Sequence, residues 1–157
     1  MKKFLTIFII IFAFATLSFA QKSSFTVQTG YSLSTGLIGA EYQFGKVSVT
    51  AGWMPLRMPE SHKFISSFSA TITAYGCDWN ESGWYASGAF ASTAYRSEKD
   101  VNGVWVEDIV SPMTILSLGY KQYLGSGLSL KGGVGYGWCK YSAYPTLEIS
   151  ARWTFGI

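Results

Sequence analysis

The chain has 157 residues, of which 17% are aromatic and 13% are charged, and its formal net charge is +3 at pH 7. This length is enough for one domain, and the near balance of acidic and basic residues argues against a nucleic-acid binder, which needs a concentrated basic patch. Beyond the N-terminal region, no stretch reaches the roughly 18 apolar residues of a membrane helix. The abundance of aromatic residues therefore favours a chain that crosses a membrane with strands.

The N-terminal residues predict a secretory signal peptide. The chain opens with Met-Lys-Lys, continues with an apolar run from Phe4 to Phe14, and then has the small residues Ser18 and Ala20 at the positions that precede a cleavage site. An uncleaved anchor helix is the alternative, and the shortness of the apolar run disfavours it. We expect a cleaved signal peptide at 1–20 and a mature domain at 21–157.

Eight segments of the mature domain alternate between apolar and polar residues, which is the pattern of a strand with two unlike faces. An even number of such strands with alternating short and long connections predicts an all-β fold, an eight-stranded antiparallel up-and-down transmembrane β-barrel. A soluble sandwich also alternates, but here the polar faces are rich in Ser, Thr and Gly, which suits a narrow lumen. The predicted strands are Phe25–Ser32, Leu37–Gly45, Val47–Met54, Phe64–Tyr75, Trp84–Tyr95, Met113–Leu124, Leu128–Trp138 and Thr146–Ile157.

The lengths of the connections predict the orientation of the barrel. In outer-membrane barrels the short turns face the periplasm and the longer loops face the outside, so we expect both termini to be periplasmic. The predicted outer connections are 33–36, 55–63, 96–112 and 139–145, and the predicted turns are 45–46, 80–83 and 125–127. Because Pro55 and Pro59 lack an N–H group, we expect the second outer connection to leave the strand ladder.

The whole mature chain resembles a known architecture. The predicted signal peptide ends with Ser-Phe-Ala before Gln21, eight alternating segments follow, and the chain closes with Trp-Thr-Phe-Gly-Ile. These features resemble the small eight-stranded outer-membrane proteins of Gram-negative bacteria, of the OmpX and OmpA membrane-domain type. The resemblance implies a location in the cell outer membrane, contact with outer-membrane lipid and lipopolysaccharide, and insertion by the barrel-assembly machinery, which would recognise Phe155 and Ile157 in the last strand.

Two groups of side chains are expected at defined places in such a barrel. Amphipathic rings prefer the membrane interface, so an aromatic girdle is expected at both rims. Charges in a narrow lumen destabilise it unless they are paired, so a lumen polar network is expected, with Arg152 and Glu41 at similar depth and Gln28 between them. Because eight strands enclose little more than their own side chains, we expect this network to fill the lumen rather than to form an ion path. The girdle comprises Tyr31, Phe44, Trp53, Trp84, Trp138 and Phe155, and the network Gln28, Glu41, Lys121, Lys131, Glu148 and Arg152.

The longest outer connection predicts a protruding surface hairpin. Asn-Gly between two apolar residues is a strong signal for a two-residue turn. The fifth and sixth strands are therefore expected to continue above the membrane and to offer backbone and an aromatic side chain to a surface protein partner. The acidic residues nearby match no calcium-loop spacing, so neither a metal nor a cofactor is expected. The hairpin is centred on Val101, Asn102, Gly103, Val104 and Trp105.

Catalysis is a further alternative, because some small barrels of this membrane modify lipid A with a Ser, a His and a carboxylate. The chain has one histidine, His62, which lies beside Glu60 and Ser61 in the second outer connection, and consecutive loop residues do not make a triad. We expect a non-enzymatic protein with a structural or surface-interaction role. A lipid-A-modifying enzyme and a component of a larger envelope complex remain as alternatives. Cys77 and Cys139 are expected at opposite ends of the barrel, beyond disulfide reach.

Overall fold

The computed structural model describes residues 23–57, 64–96, 108–140 and 142–156, with only the backbone for 93–96 and 108–109. Within these residues, eight antiparallel strands form a closed barrel in which each strand pairs with its neighbours in sequence and the first pairs with the last. This confirms the predicted fold class. The strands are β1 Ser23–Ser32, β2 Ile38–Phe44, β3 Val47–Arg57, β4 Phe64–Tyr75, β5 Gly83–Arg96, β6 Asp108–Gly125, β7 Leu128–Cys139 and β8 Ala143–Gly156.

The alternation of the sequence sorts the side chains between the lumen and the outer wall. In β1, for example, Thr26 is fully buried whereas the next residue, Val27, exposes 46% of its surface. The same contrast runs along the other strands, so the lumen is mainly polar, apart from an apolar cluster near one end, and the outer wall is an exposed apolar band. Within the described side chains, the exposed charged residues lie in connections or at the last position of a strand: Lys46, Arg57, Asp78, Glu81 and Lys140. No helix in these parts of the chain is long and apolar enough to span a membrane.

The two ends of the barrel differ. One end, here called the turn end, carries Ser23 and Gly156 together with the connections 45–46, 76–82 and 126–127. The opposite end, here called the loop end, carries the connection 33–37 and the strand ends that border 58–63, 97–107 and 140–142. The connection expected as a short turn at 80–83 begins at Gly76, because β4 ends at Tyr75. Around 126–127 the chain reverses through three consecutive residues with positive φ, and Gly125 and Gly127 adopt this conformation without steric penalty.

The expectation that Pro55 leaves the ladder was wrong, because β3 continues through it to Arg57. At this point the pairing of β2 with β3 has already ended at Trp53, so β3 has one neighbour and its free edge tolerates a residue without an N–H group. Two further prolines extend β6 and β8 at positions that also have one neighbouring strand. The register partners of Pro55, Pro112 and Pro145 are Ser66, Ser92 and Tyr136.

The first connection, 33–37, folds into the lumen, a course that was not predicted. Ser34 and Thr35 are buried, and the hydroxyl of Thr71 on β4 donates a hydrogen bond to the carbonyl oxygen of Ser34. Gly36 has φ +79°, and a Cβ there would lie 2.6 Å from the backbone nitrogen of Trp53, so the close approach requires glycine. Leu33 packs on an apolar cluster of β5 and β6 that consists of Ala89, Ala91, Met113 and Ile115. The connection thus reaches across the loop end.

Candidate functional site

One ion pair of the lumen joins β8 to β2. The guanidinium of Arg152 donates to Oε1 of Glu41, and the two side chains are 1% and 0% exposed. Glu41 also accepts hydrogen bonds from the hydroxyl of Thr50 at 3.1 Å and from that of Tyr75 at 3.1 Å and 3.3 Å. The carboxylate is therefore satisfied by one cation and two hydroxyl groups, as a buried charge requires.

A second ion pair joins β7 to β8. The ammonium of Lys131 lies 2.9 Å from Oε1 of Glu148, and both side chains are buried. The other carboxylate oxygen, Oε2, accepts a hydrogen bond of 2.9 Å from the hydroxyl of Tyr85 on β5. Lys131 Nζ also lies 4.2 Å from the centre of the Tyr85 ring, within the range of a cation–π contact. Tyr85 thus contacts both partners of the pair.

Tyr75 connects the two ion pairs. Its ring centre is 6.0 Å from that of Tyr85, and its hydroxyl contacts Glu41. The three cationic side chains of the lumen surround this ring, because Lys121 Nζ, Arg152 Cζ and Lys131 Nζ lie 5.0, 5.4 and 5.9 Å from its centre. The network therefore extends around the barrel from β2 to β8.

Lys121 differs from the other two cations. Its ammonium donates to the backbone carbonyl oxygens of Asp78 at 2.8 Å and Trp79 at 3.2 Å, both in the connection 76–82. The indole of Trp79 reaches the opposite wall, since a Cβ built on Gly156 of β8 would lie 3.0 Å from its Cζ2 atom. This connection therefore crosses the turn end and is held there by Lys121.

Gln28 lies on β1 between Arg152 and Glu41, with Arg152 as its register partner on β8. Its amide nitrogen donates a long hydrogen bond of 3.4 Å to the carbonyl oxygen of Thr35. The structure thus places Gln28 against the inward-folded connection 33–37, whereas the other five expected network residues lie around Tyr75 and Tyr85.

Sequence reasoning missed these two tyrosines, which hold the network together. Tyr75 lies at even spacing from Ser67, Ser69 and Thr73 and so belongs to the lumen face of β4. For Tyr85 the signal is a pair of glycines. Gly119 and Gly133 face each other on β6 and β7, and a Cβ on either would lie within 2.4 Å of the Tyr85 hydroxyl. Two opposed glycines on lumen faces indicate that a large side chain lies over them.

The six residues of the expected aromatic girdle all lie on the outer wall. Phe44, Trp84 and Phe155 are within two residues of a strand end at the turn end, and Tyr31 and Trp138 lie next to the last residue of β1 and β7 at the loop end. Trp53 precedes the last four residues of β3. Trp84 contacts Tyr120 edge-to-face, and Trp138 contacts Tyr136 in the same way. The rings thus occupy both ends of the apolar band.

β5 and β6 extend beyond the rest of the barrel. Their pairing continues to Arg96 and Asp108, whereas β5 pairs with β4 up to Ala91 and β6 pairs with β7 from Met113. This two-stranded extension, here called the ribbon, consists of residues 92–96 and 108–112. The predicted hairpin tip, Val101 to Trp105, lies outside the described residues.

The structure places the two cysteines, whereas several other expected features lie outside the described residues. The predicted signal peptide and the loop residues Glu60, Ser61 and His62 are outside the described residues. Cys77 follows β4 at the turn end and Cys139 ends β7 at the loop end, and both thiols are free. Within the described residues, no group of three or more His, Cys, Asp and Glu side chains has the arrangement of a metal site.

The fold is similar to that of the N-terminal β-barrel domain of Pseudomonas aeruginosa OprF, with a TM-score of 0.60 over 86% of this chain and 98% of that chain. The fold is that of an eight-stranded outer-membrane-type barrel. The sequence identity is 8%, so the likeness concerns the fold alone, and at that level it confirms the resemblance to OmpA-type barrels. Neither the protein-family models nor the curated proteins match the sequence.

Proposed function

We propose that this chain is an integral outer-membrane protein with a closed lumen and a structural or surface-interaction role, which it performs through the hairpin of residues 96–112. Its turn end, with both termini, faces the periplasm, and its loop end faces the outside. Outer-membrane lipid and lipopolysaccharide surround the apolar band, and the barrel-assembly machinery inserts the chain through β8.

The outer wall supports the membrane location. Large apolar side chains are exposed on all eight strands, for example Val134 and Leu118, which expose 67% and 65% of their surface. A monomeric soluble protein rarely exposes a continuous apolar area of this kind. The described charges of the outer surface lie at the two ends, as expected for a band that contacts hydrocarbon.

Contacts at three levels support the closed lumen. Leu33 and its apolar cluster lie at the loop end, the two ion pairs with Tyr75 and Tyr85 lie further along, and the connection 76–82 crosses the turn end. Between the first two levels, the hydroxyls of Ser87 and Ser117, on the neighbouring strands β5 and β6, are 2.6 Å apart. Side chains and connections that reach across the lumen support a lumen without a continuous path for a solute, which favours a structural role over a general pore.

The observation that carries the surface-interaction proposal is the ribbon, in which no described strand pairs with either outer edge. Unpaired strand edges bind extended segments of other proteins by backbone hydrogen bonds. The two edges differ. Ser67 donates a hydrogen bond of 2.5 Å to the carbonyl oxygen of Ser92, so this carbonyl faces β4, and Pro112, its register partner, directs its nitrogen to the free edge of β6. Because proline has no N–H group, the edge of β5 beyond Ser92, which already bonds to Ser67 and Phe68 of β4, is the better site for an added strand.

A trimmed variant tests the proposal. Residues 94–110 are replaced by Asn-Gly, which closes a two-residue turn on the register partners Thr93 and Ser111, removes most of the ribbon and leaves the closed part of the barrel unchanged. Cells that display equal amounts of the native and trimmed proteins are compared for adhesion to plates coated with serum proteins and for cell–cell aggregation. We expect adhesion or aggregation to fall to the level of cells without the protein. Equal adhesion and aggregation by both proteins would contradict the role of the hairpin.

Two controls accompany this experiment. Faster migration of both proteins on a denaturing gel before heating would show that both barrels are folded. Protease treatment of intact cells is expected to cleave the native protein within 97–107 and to spare the trimmed one. Cleavage at the turn end of intact cells would contradict the proposed orientation.

A further inference from the structure

Two lysines face each other inside the barrel. Lys121 on β6 and Lys131 on β7 are register partners on the lumen face, and each is 1% exposed. Like charges directly opposite on neighbouring strands destabilise a sheet, and burial removes the water that would screen them. Such a pair is retained only where negative charge compensates it.

The described carboxylates of the lumen do not supply enough of this charge. Glu148 pairs with Lys131 and Glu41 pairs with Arg152, whereas the third cation, Lys121, forms no ion pair with a described carboxylate and instead contacts two carbonyl oxygens, the Tyr75 ring and the thiol of Cys77. The other titratable groups that interact with Lys121 are Glu41 and Arg152, which are paired with each other, and Tyr75 and Cys77, which carry no charge in their protonated forms. The described lumen therefore contains one positive charge more than it contains carboxylates.

Unused donors lie beside this excess charge. The ammonium of Lys121 itself donates to the carbonyl oxygens of Asp78 and Trp79 and also interacts with the thiol of Cys77. The Nε–H of Arg152 and the hydroxyl of Ser129 have no hydrogen-bond partner among the described residues, although both are buried. Ser129 is the register partner of Arg152 and lies two residues before Lys131, so these groups occupy one continuous wall formed by β6, β7 and β8.

We propose that this wall binds a small inorganic anion of the size of chloride. The anion compensates the charge of Lys121, separates it from Lys131, and accepts hydrogen bonds from the Nε–H of Arg152 and the hydroxyl of Ser129. It enters from the turn end, where the connection 76–82 is held by the ammonium of Lys121 itself. Bound chloride therefore strengthens the closure of the turn end, because it fixes the ammonium of Lys121, which in turn binds the connection 76–82.

The full-length mature protein, refolded in a non-ionic detergent, provides the test. Its thermal unfolding midpoint is measured while sodium chloride replaces sodium gluconate at constant ionic strength. We expect the midpoint to rise with chloride and to reach a plateau, because gluconate is too large for a site between packed strands. In Lys121→Met the excess charge is removed, so the dependence on chloride should disappear. Lys46→Met, which changes an exposed lysine in a turn, should retain it.

Three outcomes would overturn the proposal. The first is an unfolding midpoint of the native protein that does not depend on chloride, and the second is an equal dependence in Lys121→Met. The third is a rise without a plateau, which indicates a general salt effect. If Lys121→Met does not fold, Ser129→Ala is measured in its place. In this variant, the chloride concentration that gives half of the rise in the unfolding midpoint should be at least threefold higher than in the native protein. An unchanged concentration in this variant would also contradict the site.

Discussion

Replacing Arg152 by Met removes the cation that pairs with Glu41 while keeping most of the volume of the side chain. Breaking a buried ion pair by removing one partner costs about 3–5 kcal/mol, because the remaining charge has lost its partner. The hydroxyls of Thr50 and Tyr75 still donate to Glu41, so we expect the lower end of this range, about 3 kcal/mol. This corresponds to roughly a hundredfold change in the unfolding equilibrium.

The double variant Arg152→Met/Glu41→Gln separates the lost pair from the loss of packing. Glutamine is uncharged and its carbonyl oxygen still accepts hydrogen bonds from Thr50 and Tyr75, so the double variant should lie within about 1 kcal/mol of the native protein. The free energy of unfolding is measured by urea titration of the refolded barrel in lipid vesicles. Arg57→Met, at an exposed arginine that ends β3, is the matched control and should change stability by about 0.5 kcal/mol or less.

Two results would refute this reasoning. If Arg152→Met loses less than about 1 kcal/mol, the pair does not stabilise the barrel in the way that its burial indicates. The single variant Glu41→Gln completes the comparison: if the loss of stability in the double variant equals the sum of the losses in Arg152→Met and Glu41→Gln, the two side chains do not interact, and Arg152 acts through packing alone.

Two further predictions concern the lumen wall and the outer wall. Gly133→Ala should lose about 1–3 kcal/mol of unfolding free energy, because its Cβ would lie 2.3 Å from the hydroxyl of Tyr85, whereas Gly132→Ala, with nothing nearer than 3.9 Å, should be nearly neutral. Equal effects of the two alanines in urea titrations would exclude the proposed clash. Leu118→Arg should lose about 2–4 kcal/mol in lipid vesicles and Leu124→Arg, near the turn end, at most about 1 kcal/mol. If neither variant differs from the native protein, the outer wall does not contact hydrocarbon.

The sequence predicts which side chains of a strand face the lumen and which face outward. Successive side chains of a strand point to opposite sides, so placing one residue on a face places all the others. The bounds of β4 are those predicted, and most other ends differ by one residue or not at all. The larger errors occur at prolines. Pro55, Pro112 and Pro145 indicate loops when they are considered alone, but each lies on a strand with a single neighbour. Whether a proline is flanked by one strand or two depends on how far the adjacent strands extend. The sequence around the proline carries no information on this.

The contacts inside the lumen were less predictable, because they join residues that are distant in sequence. Glu41 and Arg152 are 111 positions apart, and their contact depends on the stagger between strands around the whole barrel. The inward course of 33–37 depends on space above Gly52, where a Cβ would lie 2.1 Å from the carbonyl oxygen of Thr35. Such space is defined by the residues of other strands. Composition and alternation therefore predict which face a residue occupies, and only the assembled register shows its partners.

The position of Tyr85 over Gly119 and Gly133 has a consequence for how this sequence can change during evolution. The Tyr85 side chain extends from β5 over Gly119 and Gly133 to reach Glu148 on β8. The side chains at positions 85, 119, 133 and 148 therefore compete for the same space in the lumen. A side chain larger than glycine at 119 or 133 becomes acceptable only together with a smaller residue at 85. That smaller residue leaves Glu148 without its hydroxyl donor. In a set of homologous barrels, these four positions should therefore change as a group rather than one at a time.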